Sequence, residues 1–290
     1  MATRKMPWYE FAPGTYEIDE FDCDSVFLLV GTERALLLDT GIGLGDLRGL
    51  VEEITDKPYD VVITHGHMDH VGGAAWFDKV YLNEKDWDAF PYDGNVEHRK
   101  NYAAMIRNRE KKNYNYDPET DIRPWPKKAE RLPLVDGQQF DLGGGRIVTA
   151  YECPGHTPGE MVLIDSATRI LFAGDAINNN LGYWTKRGTP AFVSVQTAGR
   201  ALRRILDMSD QYDCIYNFHH DYRGFGSPLA PYVLPHAVKY CEDLVAGKAN
   251  IMTLPDPLAG IHGSPTMDVV SDDGLSWICY NEDGIYDEEK

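Results

Sequence analysis

Between positions 65 and 70 the chain carries four side chains able to bind a metal: His65, His67, Asp69 and His70, within Thr64-His65-Gly66-His67-Met68-Asp69-His70. They follow the apolar run Val61-Val62-Ile63, which reads as a buried β-strand. A strand that ends in a tight loop can turn all four toward one point. A helix spaces its neighbours three and four residues apart and cannot do so easily. Neutral imidazoles suit zinc, iron and related metals, and a carboxylate adds a hard anionic donor. Further donors stand at the ends of later apolar runs: His156 after 146–152, Asp175 after 169–172, and the pair His219-His220 after 214–217. Ligands at strand ends sit on rigid elements. Asp39, which ends the run 35–38, is read as a carboxylate that orients a ligand histidine.

The elements that must position these groups follow from pattern. Runs at 15–18, 25–30 and 35–38 predict an antiparallel meander, with Thr32-Glu33 in a hairpin turn. A helix is expected at 46–54. Gly41, Gly43 and Gly45 before it are not a dinucleotide fingerprint, because Asp46 stands where the third glycine belongs. Strands are predicted at 79–82, 131–135, 139–142, 146–152, 161–164, 169–172, 214–217 and 277–280, and helices at 194–208 and 234–246. From 84 to 131 the character changes. Trp87, Phe90, Tyr92, Tyr102, Tyr114, Tyr116 and Trp125 lie among many charges, with a helix at 98–111 and weak core periodicity. This stretch is read as an aromatic-rich insertion on a single domain spanning 1–290, and as a candidate lid. His98, His236 and His262 have no ligand companions in sequence.

At 290 residues the chain can bury a substantial core. Its formal net charge of −18 repels nucleic-acid phosphates and anionic lipid, so the expected partner is a small-molecule substrate rather than nucleic acid or membrane. Homo-oligomerisation stays open. Five scattered cysteines point to free thiols in a reducing compartment. Residues 1–20 hold no apolar run fit for a signal peptide, and a cytoplasmic protein is expected.

The order of these motifs resembles the metallo-β-lactamase superfamily: His-x-His-x-Asp-His at 65–70, a lone His156, Gly174-Asp175 and a final His220, over about 26–222. The resemblance implies an α/β fold, a four-layer αββα sandwich of two mixed sheets with helices on the outer faces. It implies that His65, His67 and His156 hold a first metal, that Asp69, His70 and His220 hold a second, and that Asp175 bridges both. His219 is then left to fill space or to donate a hydrogen bond. The implied cofactors are two divalent ions, zinc by default, with iron or manganese as alternatives. The implied reaction is attack of a metal-bridging hydroxide on a small ester, thioester, lactone or amide, with Asp69 orienting the hydroxide and shuttling its proton. Asp175, standing where many zinc β-lactamases carry cysteine, points to the glyoxalase II and lactonase-like branches. After His220 only Arg223 stands near to meet a glutathione carboxylate. Tyr183, Trp184 and Tyr222 are candidates for substrate contacts. Persulfide dioxygenase-like or flavodiiron-like redox enzymes and nucleases are the alternatives on the same fold. The seven-ligand set and the acidic balance favour the hydrolase.

Overall fold

Residues 25 to 29 are all buried, yet alternation divides them between two interiors. Val26 and Leu28 pack with Leu47, Leu50 and Val51 of a surface helix, whereas Phe27 and Leu29 face Phe172 and Phe218 from another sheet. The computed structural model that shows this describes residues 5–89, 94–110, 116–220, 222–256 and 265–288. Phe90, Tyr92, Tyr114 and His262, named above, lie outside the described residues.

The first sheet runs in sequence order through β1 (Trp8–Ala12), β2 (Thr15–Asp19), β3 (Ser25–Val30), β4 (Ala35–Leu38), β5 (Tyr59–Val62), β6 (Lys79–Leu82) and β7 (Glu130–Pro133). Strands β1 to β4 pair antiparallel, and β4 to β7 pair parallel. The second sheet contains β8 (Gln139–Asp141), β9 (Ile147–Glu152), β10 (Met161–Asp165), β11 (Ile170–Phe172) and β13 (Cys214–Tyr216), in the order β13-β11-β10-β9-β8. The two sheets face one another across Phe27, Leu38, Val62, Leu163, Phe172 and Phe218. Helix α1 (Leu47–Ile54) covers the outer face of the first sheet. Helices α6 (Val195–Asp207) and α7 (Val233–Val245) cover the second. Helix α6 turns Val195, Ala198, Leu202 and Ile205 inward at helical spacing, and Ser194 caps it by accepting from the Thr197 amide. The four expected layers are therefore present.

A third sheet was not foreseen. β12 (Asn180–Tyr183), β16 (Trp277–Tyr280), β15 (Thr266–Val270) and β14 (Ile251–Pro255) pair in that order, and of these only β16 was predicted. β1 was also missed.

Two registers matter for function. Leu38 pairs with Val62 across parallel β4 and β5, so Asp39 stands level with Ile63 and its carboxylate reaches the next residue, Thr64. Phe172 pairs with Tyr216 across parallel β11 and β13, so position 219 stands level with position 175. The Met161 amide donates to the Thr64 carbonyl at 2.9 Å and the Ser25 amide to the Phe218 carbonyl at 2.7 Å, which stitches the sheets together at this edge. Gly174 makes the stitch fit. Its φ is +52°, and a Cβ there would lie 2.4 Å from Glu160 Oε1.

The segment 84–131 forms α3 (Glu84–Ala89), α4 (Val96–Glu110), α5 (Pro118–Asp121) and the start of β7. The inward positions of α4 are Arg99, Tyr102, Ala103 and Ile106, a helical stripe that contains two polar side chains. Arg99 is 1% exposed and donates to the carbonyls of Ile42, Gly72, Gly94 and Arg123. Trp125 Nε1 also donates to Gly72, at 2.7 Å. These bonds tie the segment to the loops that follow β4 and β5.

Candidate metal centre

The chain leaves β5 at Val62 and turns through residues 63–67 into α2 (Met68–Val71). That turn brings His67 Nδ1 to 3.0 Å from His65 Nε2 and 2.9 Å from His156 Nε2. One ring nitrogen cannot satisfy two others at once by sharing protons, but a single cation satisfies all three. Beside this trio stands a second group. Asp175 Oδ2 lies 3.6 Å from His70 Nε2, 3.6 Å from His156 Nε2 and 3.2 Å from His219 Nε2. Asp69 approaches the same place, at 3.9 Å from His70 Nε2 and 3.6 Å from His219 Nε2. Asp175 therefore stands between the two sets of imidazoles.

The residues fit a metal on their own chemistry. Among the described residues, His70 Nε2 and Asp175 Oδ1 are buried without a hydrogen-bond partner. Such atoms are costly unless something else satisfies them. Asp39 fixes the orientation of His70: its Oδ2 lies 2.7 Å from His70 Nδ1, and its two oxygens accept from the amide and hydroxyl of Thr64. An Nδ1–H given to Asp39 leaves the Nε2 lone pair facing Asp175.

The electrostatics differ between the two groups. Burial and the surrounding imidazoles hold His65 well below the usual histidine range and His67 down at about 3. At the other group burial also opposes charge, but Asp175, Asp69 and Asp24 outweigh it and lift His219 to about 10. Asp175 is pushed up by burial, yet His219 and His70 hold it well below the ordinary carboxylate range. One position is thus a neutral imidazole trio, and the other is rich in carboxylate.

The adjacent histidines are placed the other way round from the sequence expectation. His220 does not reach the cluster: its Nδ1 lies 3.0 Å from Ser25 Oγ and its Nε2 2.7 Å from Asp22 Oδ1. His219 takes the place assigned to it. The reason is the β11–β13 register, which levels residue 219 with Asp175 and turns residue 220 toward the β2–β3 connection. Ser25, His220 and Asp22 form a hydrogen-bonded chain, but Ser25 is fully buried and presents no nucleophile to solvent.

Tyr183 is also corrected. It lies in β12 with its ring in the core under α6 and α7 and its hydroxyl near Cys241, so it contacts protein rather than substrate. Trp184 and Tyr222 are exposed, and the Tyr222 ring packs on Trp277.

Two supporting residues, Asp86 and Glu160, escaped the sequence reading, and a third, Tyr102, was named there only as an aromatic of the insertion. Asp86 of α3 is buried and accepts from the Gly66 amide at 2.7 Å, the Gly159 amide at 2.6 Å and Thr157 Oγ1 at 2.9 Å. It binds the loop of His67 to the loop of His156. Glu160, fully buried, accepts from the Asp175 amide at 3.0 Å and lies 3.5 Å from His65 Nδ1. Tyr102 of α4 hydrogen-bonds Asp69, and burial together with that carboxylate pushes its phenol well above the usual range. A cavity of about 340 Å³ opens between residues 66–72 and α4. His67 and Asp69 lie at one side of it, and Met68, Val71, Asn95, His98 and Trp125 line the rest. His98, without ligand companions in sequence, thus finds a place in the cavity wall.

The family model of the metallo-beta-lactamase superfamily matches residues 20–212, which span β3 to β11 of the two facing sheets and the whole cluster but His219. The chain belongs to the metallo-β-lactamase superfamily. Among curated proteins, an acyl-coenzyme A thioesterase MBLAC2 of Homo sapiens is 29% identical over 169 residues, 53% of this chain and 58% of that protein. A hydroxyacylglutathione hydrolase GloC of Haemophilus influenzae is 26% identical over 153 residues, 50% of this chain and 62% of that protein. The matched stretches thus cover less than two thirds of either relative. Among solved structures, a metallo-beta-lactamase family protein of Thermus thermophilus aligns with a TM-score of 0.52 at 22% identity, covering 82% of this chain and 83% of that one. The sec-alkylsulfatase Pisa1 of a Pseudomonas species aligns at 0.58 and 13% identity, covering 83% of this chain and 43% of its own. These likenesses show the superfamily fold. No described helix is long and apolar enough to cross a membrane.

Proposed function

We propose that this chain is a dinuclear metal-dependent hydrolase that cleaves small acyl thioesters. The observation that carries the reading is Asp175, whose Oδ2 stands 3.6 Å from His156 of the imidazole trio and 3.2 Å from His219 of the carboxylate-rich group. His65, His67 and His156 would hold one divalent ion, Asp69, His70 and His219 the other, and Asp175 both. Zinc is the first choice, with iron and manganese as alternatives. Ions held there would lower the pKa of water toward neutrality and polarise an acyl carbonyl.

The chain's own residues do the rest. Asp69 turns Oδ1 toward His70 and Oδ2 toward His219, and its carboxylate would accept the proton of the attacking water and return it to the leaving sulfur. The Tyr102 hydroxyl donates to Asp69 and steadies that carboxylate. The cavity beside His67 and Asp69 is large enough for a substrate arm, and Met68, Val71 and Trp125 give it an apolar wall. In this reading α4 is a fixed wall of the site, tied down by Arg99, rather than a free lid.

The thioester preference rests on the two relatives, whose names describe hydrolysis of acyl groups carried on coenzyme A and on glutathione. The test is thiol release from short acyl-coenzyme A and S-acyl-glutathione substrates, with an oxygen ester, a lactone and a β-lactam alongside. The expected result is turnover of a thioester that a chelator abolishes and added metal restores. Metal-loaded protein that releases no thiol, or turns over the β-lactam best, would overturn the proposal.

A further inference from the structure

A guanidinium carries five N–H donors and no acceptor. In Arg223 every one of them has an acceptor inside the protein. Nε donates to Asn217 Oδ1 at 2.8 Å, and Nη1 donates to the carbonyls of Ser227 at 3.0 Å and Gly224 at 3.3 Å. Nη2 donates to the Asn217 carbonyl at 2.8 Å and to Glu17 Oε1 at 2.6 Å. The side chains of Arg223 and Glu17 are both 0% exposed. The guanidinium also lies 5.3 Å from the centre of the Tyr216 ring and 5.8 Å from that of Phe27. No N–H is left for a glutathione carboxylate, although the place of Arg223 after His220 suggested that use.

What the side chain holds instead is the stretch that carries His219. Asn217 precedes that histidine by two residues, and Gly224 and Ser227 follow it, so one guanidinium bridges the chain on both sides. The amides of Arg223 and Gly224 close the turn by donating to the His220 carbonyl at 3.3 and 2.8 Å. Glu17 belongs to β2 of the first sheet, and its other oxygen accepts from the Gly226 amide at 2.6 Å. The pair therefore ties the turn after β13 to a strand of the facing sheet. Ligands on loops are less precise than ligands on strands unless their neighbours lock them. The imidazole trio has separate support, from Asp86 and Glu160.

We infer that Arg223, held by Glu17, is a positioning residue of the metal centre: it sets His219 against Asp175 and the second ion, and it does not bind substrate. This rests on the two-ion reading above. Because the trio is braced elsewhere, loosening Arg223 acts on one metal position and spares the other.

The test is titration of metal-free full-length protein with Zn²⁺ against a chromogenic chelator, followed by kcat and KM for S-acyl-glutathione and acyl-coenzyme A in excess Zn²⁺. Wild type should take up two equivalents. Arg223→Lys keeps a charge for Glu17 but lacks the fork that reaches Asn217 and Ser227 together. It should weaken by about 10- to 100-fold the equivalent that His219→Ala loses, keep the one that His156→Ala loses, and leave KM within about twofold. Both ions held at wild-type affinity, or both weakened alike, would overturn the inference. So would a KM for S-acyl-glutathione raised about 10-fold with both ions in place, which would make Arg223 a substrate receptor. A single equivalent in wild type would sink the two-ion reading, and positioning then stands only if Arg223→Lys weakens that equivalent as His219→Ala does. If Arg223→Lys does not fold, Glu17→Leu combined with Arg223→Met decides, since replacing both partners of a buried pair leaves no charge stranded. Selective loss of the His219 equivalent in that folded double variant supports the inference, and wild-type affinity for both ions overturns it.

Discussion

Asp39 Oδ2 lies 2.7 Å from His70 Nδ1, and this contact aims the opposite ring nitrogen of His70 at Asp175. Asp39 itself sits at positive φ, 63°, pinned by both bonds to Thr64. Asp39→Asn keeps the size but removes the charge that fixes the His70 tautomer. It is expected to weaken one metal equivalent by about 10- to 100-fold while the other is retained. Chelator competition measures this, and equal affinity for both ions would show that Asp39 only shapes the loop.

Tyr102→Phe tests whether α4 takes part in the chemistry. Metal content should be unchanged, since Tyr102 reaches the centre only through Asp69. The value of kcat should fall about 10- to 100-fold with KM little altered, because the lost hydrogen bond steadies a group that handles the proton. Full turnover in Tyr102→Phe would reduce the residue to packing.

Asp86→Ala should act on stability first. It strips three donors, on Gly66, Gly159 and Thr157, of their acceptor inside the protein. A loss on the order of 3 kcal/mol is expected in urea unfolding, seen as a lower midpoint at constant slope. A change below about 0.5 kcal/mol would mean that water replaces the carboxylate without cost.

Glu20 gives a pH signature away from the metal donors. It is fully buried, and burial pushes its carboxyl up to about 8, against the Ile42 and Leu44 amides and Arg99, which pull it down. The folded state therefore keeps a proton that the unfolded state releases near 4.5. Between those values the native state binds more protons, so this group's contribution to stability falls as pH rises, by up to about 1.4 kcal/mol per pH unit. Glu20→Gln should remove that slope. Parallel stability curves for the two proteins from about pH 5 to about pH 8 would show that the amides keep Glu20 ionised.

Sequence order exposed the scaffold where short apolar runs are bounded by turn residues. β3, β4, β6 and β16 appear at their predicted bounds, because apolar runs broken by turn residues leave little choice. The convergence of His65, His67, His156 and Asp175 was legible for the same reason, since each stands in the turn after a strand, whereas His70 sits in the short helix α2 that follows. What stayed hidden depended on register and on distant donors. Nothing local separates His219 from His220, and the choice is made by the pairing of Phe172 with Tyr216. The inward stripe of α4 looked irregular because Arg99 and Tyr102 fill two of its positions, one to bind backbone carbonyls and one to reach Asp69. Asp86 is a single acid in a polar stretch, without motif, and only the fold brings it to the centre.

The central claim is a two-ion centre closed by His219 and bridged by Asp175, and metal content in two neighbouring variants tests it most directly. His219→Ala and His220→Ala would be purified alongside wild type, with bound metal counted by elemental analysis and thioester turnover measured on the same samples. The expected result is about two ions in wild type, loss of one ion and nearly all turnover in His219→Ala, and both ions with a milder defect in His220→Ala. Two ions retained in His219→Ala, with one lost in His220→Ala, would contradict the account.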